Sequence, residues 1–322
     1  MPVSNLDKIL FQESGFTKAQ VIDYYIQVSP FLLPHLKNRP VTLKRYPDGT
    51  HGESFYEKDA PAFTPAWVET FPVPRRAGGA DIRYILINDL STLVWCANVA
   101  SLELHPFLHC VPEIQHPTYI VFDLDPGPGT DVLTCAEVAF LVRDLLSRLN
   151  LLSFPKVSGS KGIQLYVPLH SRADYAVTQP FAQAIAELLA KGHPKLIVAE
   201  MAKSERTKKV FIDWSQNVDF KTTVGVYSLR AKRDRPFVSL PVRWEELDSA
   251  LRKRDADALY FEVEAALKRL GDVGDLFAPV LSLKQSVPES VTEAIPRHEK
   301  TMRNSKATGH RSRPHPAKSK PI

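Results

Sequence analysis

Apolar residues along this chain fall into two rhythms. In some segments they recur every three or four positions, in others they alternate or run together, and Pro and Gly sit between the two kinds. Behind Thr17-Lys18-Ala19-Gln20, the residues Val21, Ile22, Tyr24, Tyr25 and Val28 share one helical face, which predicts a helix capped by Thr17 and stopped by Pro30. Short β-like runs follow at residues 40–45, 54–58, 67–71 and 83–87. Asn88-Asp89 then caps a helix predicted to reach Ala100. Further on, the pattern predicts a strand over 119–123, a helix over 133–149, strands over 153–157 and 163–168, and a helix over 178–191. A buried strand over 210–213 and helices over 244–251 and 258–270 complete the series. Strands interleaved with helices in this way predict mixed α/β packing. No internal repeat or low-complexity linker divides the chain before about residue 290.

Composition narrows the class. With 322 residues, 44% of them hydrophobic, the chain has enough apolar material for one large core or two lobes sharing one. Its longest apolar runs stop well short of the roughly 20 residues that span a bilayer. Three cysteines, Cys96, Cys110 and Cys135, occur without a CxxC pair or a His-Cys cluster, so neither a disulfide framework nor a structural zinc site is indicated. No secretory leader is legible, and a reducing cytoplasm is expected. The net charge of +5 misleads, because residues 297–322 carry eight Lys/Arg against one Glu and leave the remainder near −2. A nucleic-acid groove would therefore have to be built from locally clustered cations. The tail, 291–322, has hardly any apolar residues and is expected to be disordered, as a solvated terminus or a non-specific arm for nucleic acid.

The chemistry-bearing residues cluster in three motifs. In Tyr119-Ile120-Val121-Phe122-Asp123-Leu124-Asp125-Pro126-Gly127, two acids two positions apart share one face of an extended chain. Like charges so placed repel unless a cation lies between them, and carboxylate oxygens suit Mg²⁺ or Mn²⁺. Taken alone, such a pair equally marks a turn. Asp213, in Val210-Phe211-Ile212-Asp213-Trp214, is a third acid leaving an apolar strand; by itself it equally caps the strand end. Three convergent carboxylates are what a two-metal phosphoryl-transfer centre requires. Between two predicted strands, Ser158-Gly159-Ser160-Lys161-Gly162 offers hydroxyls, flexible backbone N–H groups and a mobile cation to phosphate oxygens, although the Walker spacing is absent and an ordinary hairpin turn reads the same way. Lys221-Thr222-Thr223 and Tyr227-Ser228-Leu229-Arg230 add donors, with Arg230 suited to bidentate pairing with a phosphate or equally to a charged surface.

These three motifs together resemble the polymerase domain of bacterial ligase D, in the archaeo-eukaryotic primase superfamily. The likeness extends to Asp7-Lys8-Ile9-Leu10, Arg39-Pro40-Val41-Thr42-Leu43-Lys44-Arg45, Phe55-Tyr56-Glu57-Lys58 and Leu102-Glu103-Leu104-His105, and covers roughly residues 5–285. It implies a primase-polymerase domain over 1–290, with a mixed, largely antiparallel central sheet flanked by helices. It implies a template-directed or end-directed nucleotidyltransferase that adds nucleotides at gaps and broken DNA ends in non-homologous end joining, alongside the end-binding protein Ku and a DNA ligase, near the nucleoid. By that resemblance Asp123, Asp125 and Asp213 would hold two Mn²⁺ or Mg²⁺ ions. Ser158, Lys161, Gln164 and Arg230 would bind the NTP or dNTP, with Lys44 and His105 nearby. Phe55 and Tyr56 would pack on template bases, and Lys8 and Lys18 would hold the 5′-phosphate of a DNA end. Preferences for ribonucleotides and manganese are inherited with the family.

One position departs from the family pattern, which usually reads Ser-Gly-x-Lys-Gly-x-His. Here Gln164 follows Gly162-Ile163, and an amide can donate to a phosphate but cannot become cationic. Weaker triphosphate binding is expected, relieved by Gln164→His. No ligase adenylation motif or phosphoesterase-like segment is legible, which leaves a stand-alone paralogue or an excised domain. Two other functions fit parts of the pattern: a catalytically weak DNA-end-bridging module, and a primase that starts chains without a primer.

Overall fold

The computed structural model describes residues 2–169, 173–232 and 235–289. The basic tail expected to be disordered lies outside them. After a short hairpin, β1 (Ile9–Phe11) and β2 (Phe16–Thr17), comes α1 (Lys18–Leu36), followed by β3 (Pro40–Arg45), β4 (Phe55–Glu57), β5 (Thr70–Val73), β6 (Ile82–Leu86), α2 (Leu90–Asn98) and β7 (Ser101–Pro106). These strands make a five-stranded antiparallel sheet in the order β4-β3-β6-β5, with β7 also pairing with β3.

The second half supplies β8 (Tyr119–Pro126), α3 (Val132–Arg148), β9 (Phe154–Val157), β10 (Ile163–Pro168), α4 (Tyr175–Gly192), β11 (Ile197–Val198) and β12 (Val210–Asp213). It closes with β13 (Leu229–Arg230), β14 (Phe237–Val238), β15 (Leu240–Pro241), α5 (Trp244–Lys253), α6 (Val263–Val273) and α7 (Pro279–Ser282). Here a six-stranded sheet runs β11-β12-β8-β10-β9-β15. Only β11 and β12 pair in parallel among the described strands of this sheet. The fold is thus mixed α/β with largely antiparallel sheets, as the motifs implied, but it has two main sheets where one was expected. No helix among the described residues is long and apolar enough to cross a membrane.

Three sequence-based expectations need correcting. Helix α1 passes through Pro30 and Pro34 to Leu36. Pro30 cannot donate to the Ile26 carbonyl one turn back. The Ser29 hydroxyl donates to that carbonyl instead, at 2.8 Å, and the buried Val28, Leu32 and Leu36 keep the apolar face running. The last long helix begins at Val263 and not at 258, because a 3-10 turn at Asp257–Leu259 ends at Tyr260, and Val238, donating its N–H to the Phe261 carbonyl (2.9 Å), and Phe237, bridging Glu262, hold the next residues extended. The strand expected at 67–71 lies at Thr70–Val73.

Strand β8 is the spine of the second sheet. Its alternation sends the fully buried Ile120, Phe122 and Leu124 to one face, which α3 and α4 cover, and Asp123 and Asp125 to the other. Beyond the end of β12, Asn217 continues the ladder with its side chain. The amide oxygen accepts from Val121 N (2.8 Å) and the amide nitrogen donates to the carbonyls of Val121 (2.8 Å) and Trp214 (2.8 Å). Asn217 is fully buried, so these backbone groups have no water to fall back on. Asn217→Ala is expected to cost about 2–4 kcal/mol of unfolding free energy in chemical denaturation, the penalty for orphaning buried backbone groups at several places at once. A loss below about 1 kcal/mol would mean that β12 is held by its apolar residues alone.

Candidate active site

Four adjacent strands each contribute one polar residue to a single row. Gln164 on β10 is the register partner of Lys156 on β9 and of Asp123 on β8, and Asp123 is in turn the partner of Asp213 on β12. Asp125 stands two residues along from Asp123 on the same face. Above this row opens a cavity of about 680 Å³, lined by Asp123, Asp125, Ser158, Lys161, Gln164, Arg230, His105 and Tyr56 among the residues singled out from sequence. Ser160, Arg206, Gln216, Thr222, Thr223 and Lys232 complete much of its wall.

The acids feel one another. Burial first, then the charges of Asp125 and Asp213, push the Asp123 carboxyl up to about 7, although Gln164 and Lys156 pull the other way. Asp125 is also raised, by burial and by Asp213. Asp213 behaves differently from the expectation. Its Oδ1 accepts from the Ser215 N–H (3.0 Å) and hydroxyl (2.5 Å), and its Oδ2 from the Gln216 amide (2.8 Å), so it caps the turn that follows β12. No three His, Cys, Asp or Glu side chains among the described residues are gathered closely enough, as they stand, to hold a metal ion. A carboxylate has about four lone-pair sites, however, and these bonds occupy three. The turn therefore orients Asp213 without exhausting it.

Opposite the acids stands the hairpin between β9 and β10. Gly159 has φ of +68°, and a Cβ there would lie 2.7 Å from Arg230 Cγ and from the Val238 carbonyl oxygen, so the tight approach of loop to Arg230 needs glycine. The expected cradle of backbone N–H groups is partly spent, since Ser160 N (3.2 Å) and Gly162 N (3.1 Å) both donate to Ser158 Oγ. The hydroxyl proton of Ser158 is left for another acceptor.

Arg230 is held by an acid that the sequence motifs did not single out. Glu103, fully buried on β7, accepts from Tyr46 Oη (3.1 Å) and Ala231 N (3.1 Å), lies 2.9 Å from His105 Nε2, and stands 3.7 Å from an Arg230 nitrogen. Burial works to raise the Glu103 carboxyl, but the His105 hydrogen bond and the charges of Arg230, His105 and Lys44 hold it well below the usual carboxylate range. Arg230 Nε is buried with no hydrogen-bond partner among the described residues, a donor left for an anion. Lys44 is behind this cluster, with Nζ 5.3 Å from the Tyr56 ring centre. Tyr56 meets His105 edge-on at 5.5 Å. Lys44 is lowered by burial, pulled up by Glu103 and lowered further by Lys232 and Arg230, the mark of clustered cations.

The remaining predicted residues stand apart from the cavity wall. Phe55 is exposed and has Arg45 over its ring at 5.4 Å. Lys8 pairs with Asp48 at 2.9 Å, and Lys18 starts α1 with its pKa lowered by burial and by the charge of Lys8. These two lysines form a basic pair at a helix N-terminus, where anions are favoured.

A family profile described as the LigD primase-polymerase domain matches residues 17–277. The chain belongs to that family. It is 41% identical over 280 residues to the multifunctional non-homologous end joining protein LigD of Mycolicibacterium smegmatis, covering 86% of this chain and 36% of that protein. It is 38% identical over 249 residues to the bifunctional non-homologous end joining protein LigD of Bacillus subtilis, covering 77% and 39%. The structure resembles the polymerase domain of Mycobacterium tuberculosis ligase D, solved in complex with DNA, with a TM-score of 0.81 and 36% identity, covering 88% of this chain and 99% of that one. The chain thus spans little more than a third of the curated LigD relatives, and nearly all of the solved LigD polymerase domain.

Within this LigD polymerase fold, Glu103 should matter for both stability and nucleotide affinity. Glu103→Ala leaves Arg230 buried without its counter-charge and is expected to destabilise by about 3–5 kcal/mol in thermal or chemical unfolding. Retention of wild-type stability would show that Arg230 and His105 find other partners.

Proposed function

We propose that this chain is a metal-dependent nucleotidyltransferase of the primase-polymerase type, which adds nucleotides to a DNA 3′ end at gaps and breaks. The observation that carries this reading is the single cavity in which Asp123 and Asp125 face Ser158, Lys161, Arg230 and Lys232. One wall attracts hard cations, the other attracts polyanions, and a nucleoside triphosphate with divalent ions satisfies both.

The donor set fits such ions. A carboxyl pushed to about 7 by burial and then by its acidic neighbours is one that a divalent cation would relieve. Asp123 and Asp125 would hold the ions with the free lone-pair site of Asp213. Two Mn²⁺ or Mg²⁺ ions so held would activate the primer 3′-hydroxyl and neutralise charge on the triphosphate. Ser158, through its hydroxyl, and Lys161 would bind the phosphates of the NTP or dNTP, and the unpartnered Nε of Arg230 would meet the charge that develops there. Tyr56 on the cavity rim and the exposed Phe55 offer faces for stacking bases. Lys8 and Lys18 would take the 5′-phosphate on the far side of a gap.

We read residues 1–290 as this domain and 291–322 as a basic tail. The LigD relatives are named for non-homologous end joining, which supports reading broken DNA ends and gapped duplex as the substrate, Ku and a DNA ligase as partners, and the nucleoid of the cytoplasm as the setting.

The test is extension of a gapped duplex with a downstream 5′-phosphate, in Mn²⁺, with NTP or dNTP. Wild-type protein is expected to fill the gap, and Asp123→Ala/Asp125→Ala to lose about a thousandfold or more, the scale of several kcal/mol of transition-state charge stabilisation. Ends bound without any incorporation by the wild type would instead identify a bridging module, and extension on unprimed template a primase.

A further inference from the structure

Lys156 is fully buried in the second sheet, yet no step above uses it. Its Nζ lies 2.5 Å from Gln164 Oε1 and 2.7 Å from Ser239 Oγ. Ser239 gives its own proton to the Val157 carbonyl (3.3 Å), so it can only accept from the lysine. Gln164 Nε2 donates to Thr223 Oγ1 at 2.8 Å. An amide side chain has an oxygen end and a nitrogen end of nearly equal size, and only its partners decide which way it points. Lys156 binds the oxygen end. The nitrogen end must then face Thr223 and lie on the side of the amide next to Asp123, its register partner on β8. Burial and the Arg230 charge lower the Lys156 amine well below its usual range, against which Asp123 and the Tyr166 ring face, 5.6 Å from Nζ, work in the other direction.

We propose that Lys156 is a positioning residue for Asp123, acting through Gln164: it fixes the amide so that an N–H, and not a carbonyl oxygen, is presented to the carboxylate that faces the cavity. Without the lysine, the amide is free to turn its oxygen toward Asp123, where two acceptors repel. The row Lys156–Gln164–Asp123 is therefore one unit spread over three strands, and it explains why glutamine serves at a position that touches both a buried amine and a carboxylate. A histidine at 164 would set an imidazole beside the Lys156 amine in place of the amide oxygen that now accepts from it.

The inference rests on the metal-dependent reading, and its test separates the two. Mn²⁺ binding to the protein alone is measured by electron paramagnetic resonance for wild type, Lys156→Met, Gln164→Leu and the double variant, with Lys156→Arg as the conservative control. Methionine keeps length and apolar volume, so the fold is expected to survive, as circular dichroism melting will check. Lys156→Met should weaken Mn²⁺ by about tenfold, in the range found when partners of metal ligands are removed. The double variant should bind no worse than Gln164→Leu, and Lys156→Arg should recover most of the affinity. Independently of any metal, the ¹⁵N side-chain amide resonance of Gln164, assigned by its loss in Gln164→Leu, should shift and lose exchange protection in Lys156→Met. An unchanged amide resonance overturns the proposal even if wild type binds no Mn²⁺, an outcome that would separately remove the metal-dependent function. Wild-type Mn²⁺ affinity in Lys156→Met, or losses that add in the double variant, overturn it too.

Discussion

The repulsion among Asp123, Asp125 and Asp213 is the constraint that the second sheet is organised around. Acids on neighbouring positions of an apolar sheet are costly, because burial favours the neutral form of Asp123 and Asp125 and the charge of Asp213 opposes both. The surroundings meet that cost in separate ways. Asp213 is tied into its own turn by Ser215 and Gln216. Asp123 has Gln164 and the more distant Lys156. Asp125 is left exposed to the cavity and to the positive field of Lys232, Arg206 and Arg230. A site built this way gains most from a ligand that brings positive charge to the acids.

The cationic wall is arranged by the opposite device. Arg230 and Lys44 would repel one another if nothing held them, and the buried Glu103 acts as their common counter-charge while burial lowers His105 beside them. Since Glu103 comes from the first sheet and Arg230 from the two-stranded β13–β14 hairpin, this cluster joins that hairpin to the first sheet at the cavity. Tyr24 and Tyr25 on α1 reinforce the same junction, donating to the carbonyls of Tyr227 and Leu102 at 2.7 Å each. The distance between acidic and cationic walls is thus fixed by buried polar bonds between elements far apart in sequence, which is why the cavity is a property of the whole fold.

How much of this was legible in the chain depends on the range of the interaction. Local patterns were: β3 and β12 fall where the apolar runs put them, Asp89 caps α2 through the Thr92 N–H, and the two acids of β8 share a face as period-two alternation requires. Features set by one side chain rescuing a backbone group were not, as with Ser29 carrying α1 past Pro30. Nor were partners brought together by strand register. Lys156 sits in Phe154-Pro155-Lys156-Val157, where a lysine between apolar residues reads as an ordinary strand edge until β9 is found inside the sheet. Glu103 was part of a quoted segment, but its importance rests on residues 57 positions before it and 128 after it. Arg206 and Lys232 left no signal at all, since a single cation in a polar loop looks like any other.

The two readings of Asp213 weighed from sequence, strand-end cap and metal ligand, turn out to be compatible. A carboxylate that accepts hydrogen bonds from a following turn is held in one orientation, which lowers the entropy lost when a cation arrives. The segment Asp213-Trp214-Ser215-Gln216-Asn217 performs this in five residues. Ser215 and Gln216 grip the carboxylate, Trp214 anchors its indole N–H on the Ala199 carbonyl at 3.1 Å, and Asn217 locks the turn to β8 beside Asp123. The turn that satisfies Asp213 therefore also sets its distance from Asp123, and the same buried bonds of Asn217 that hold the turn hold β12 to β8.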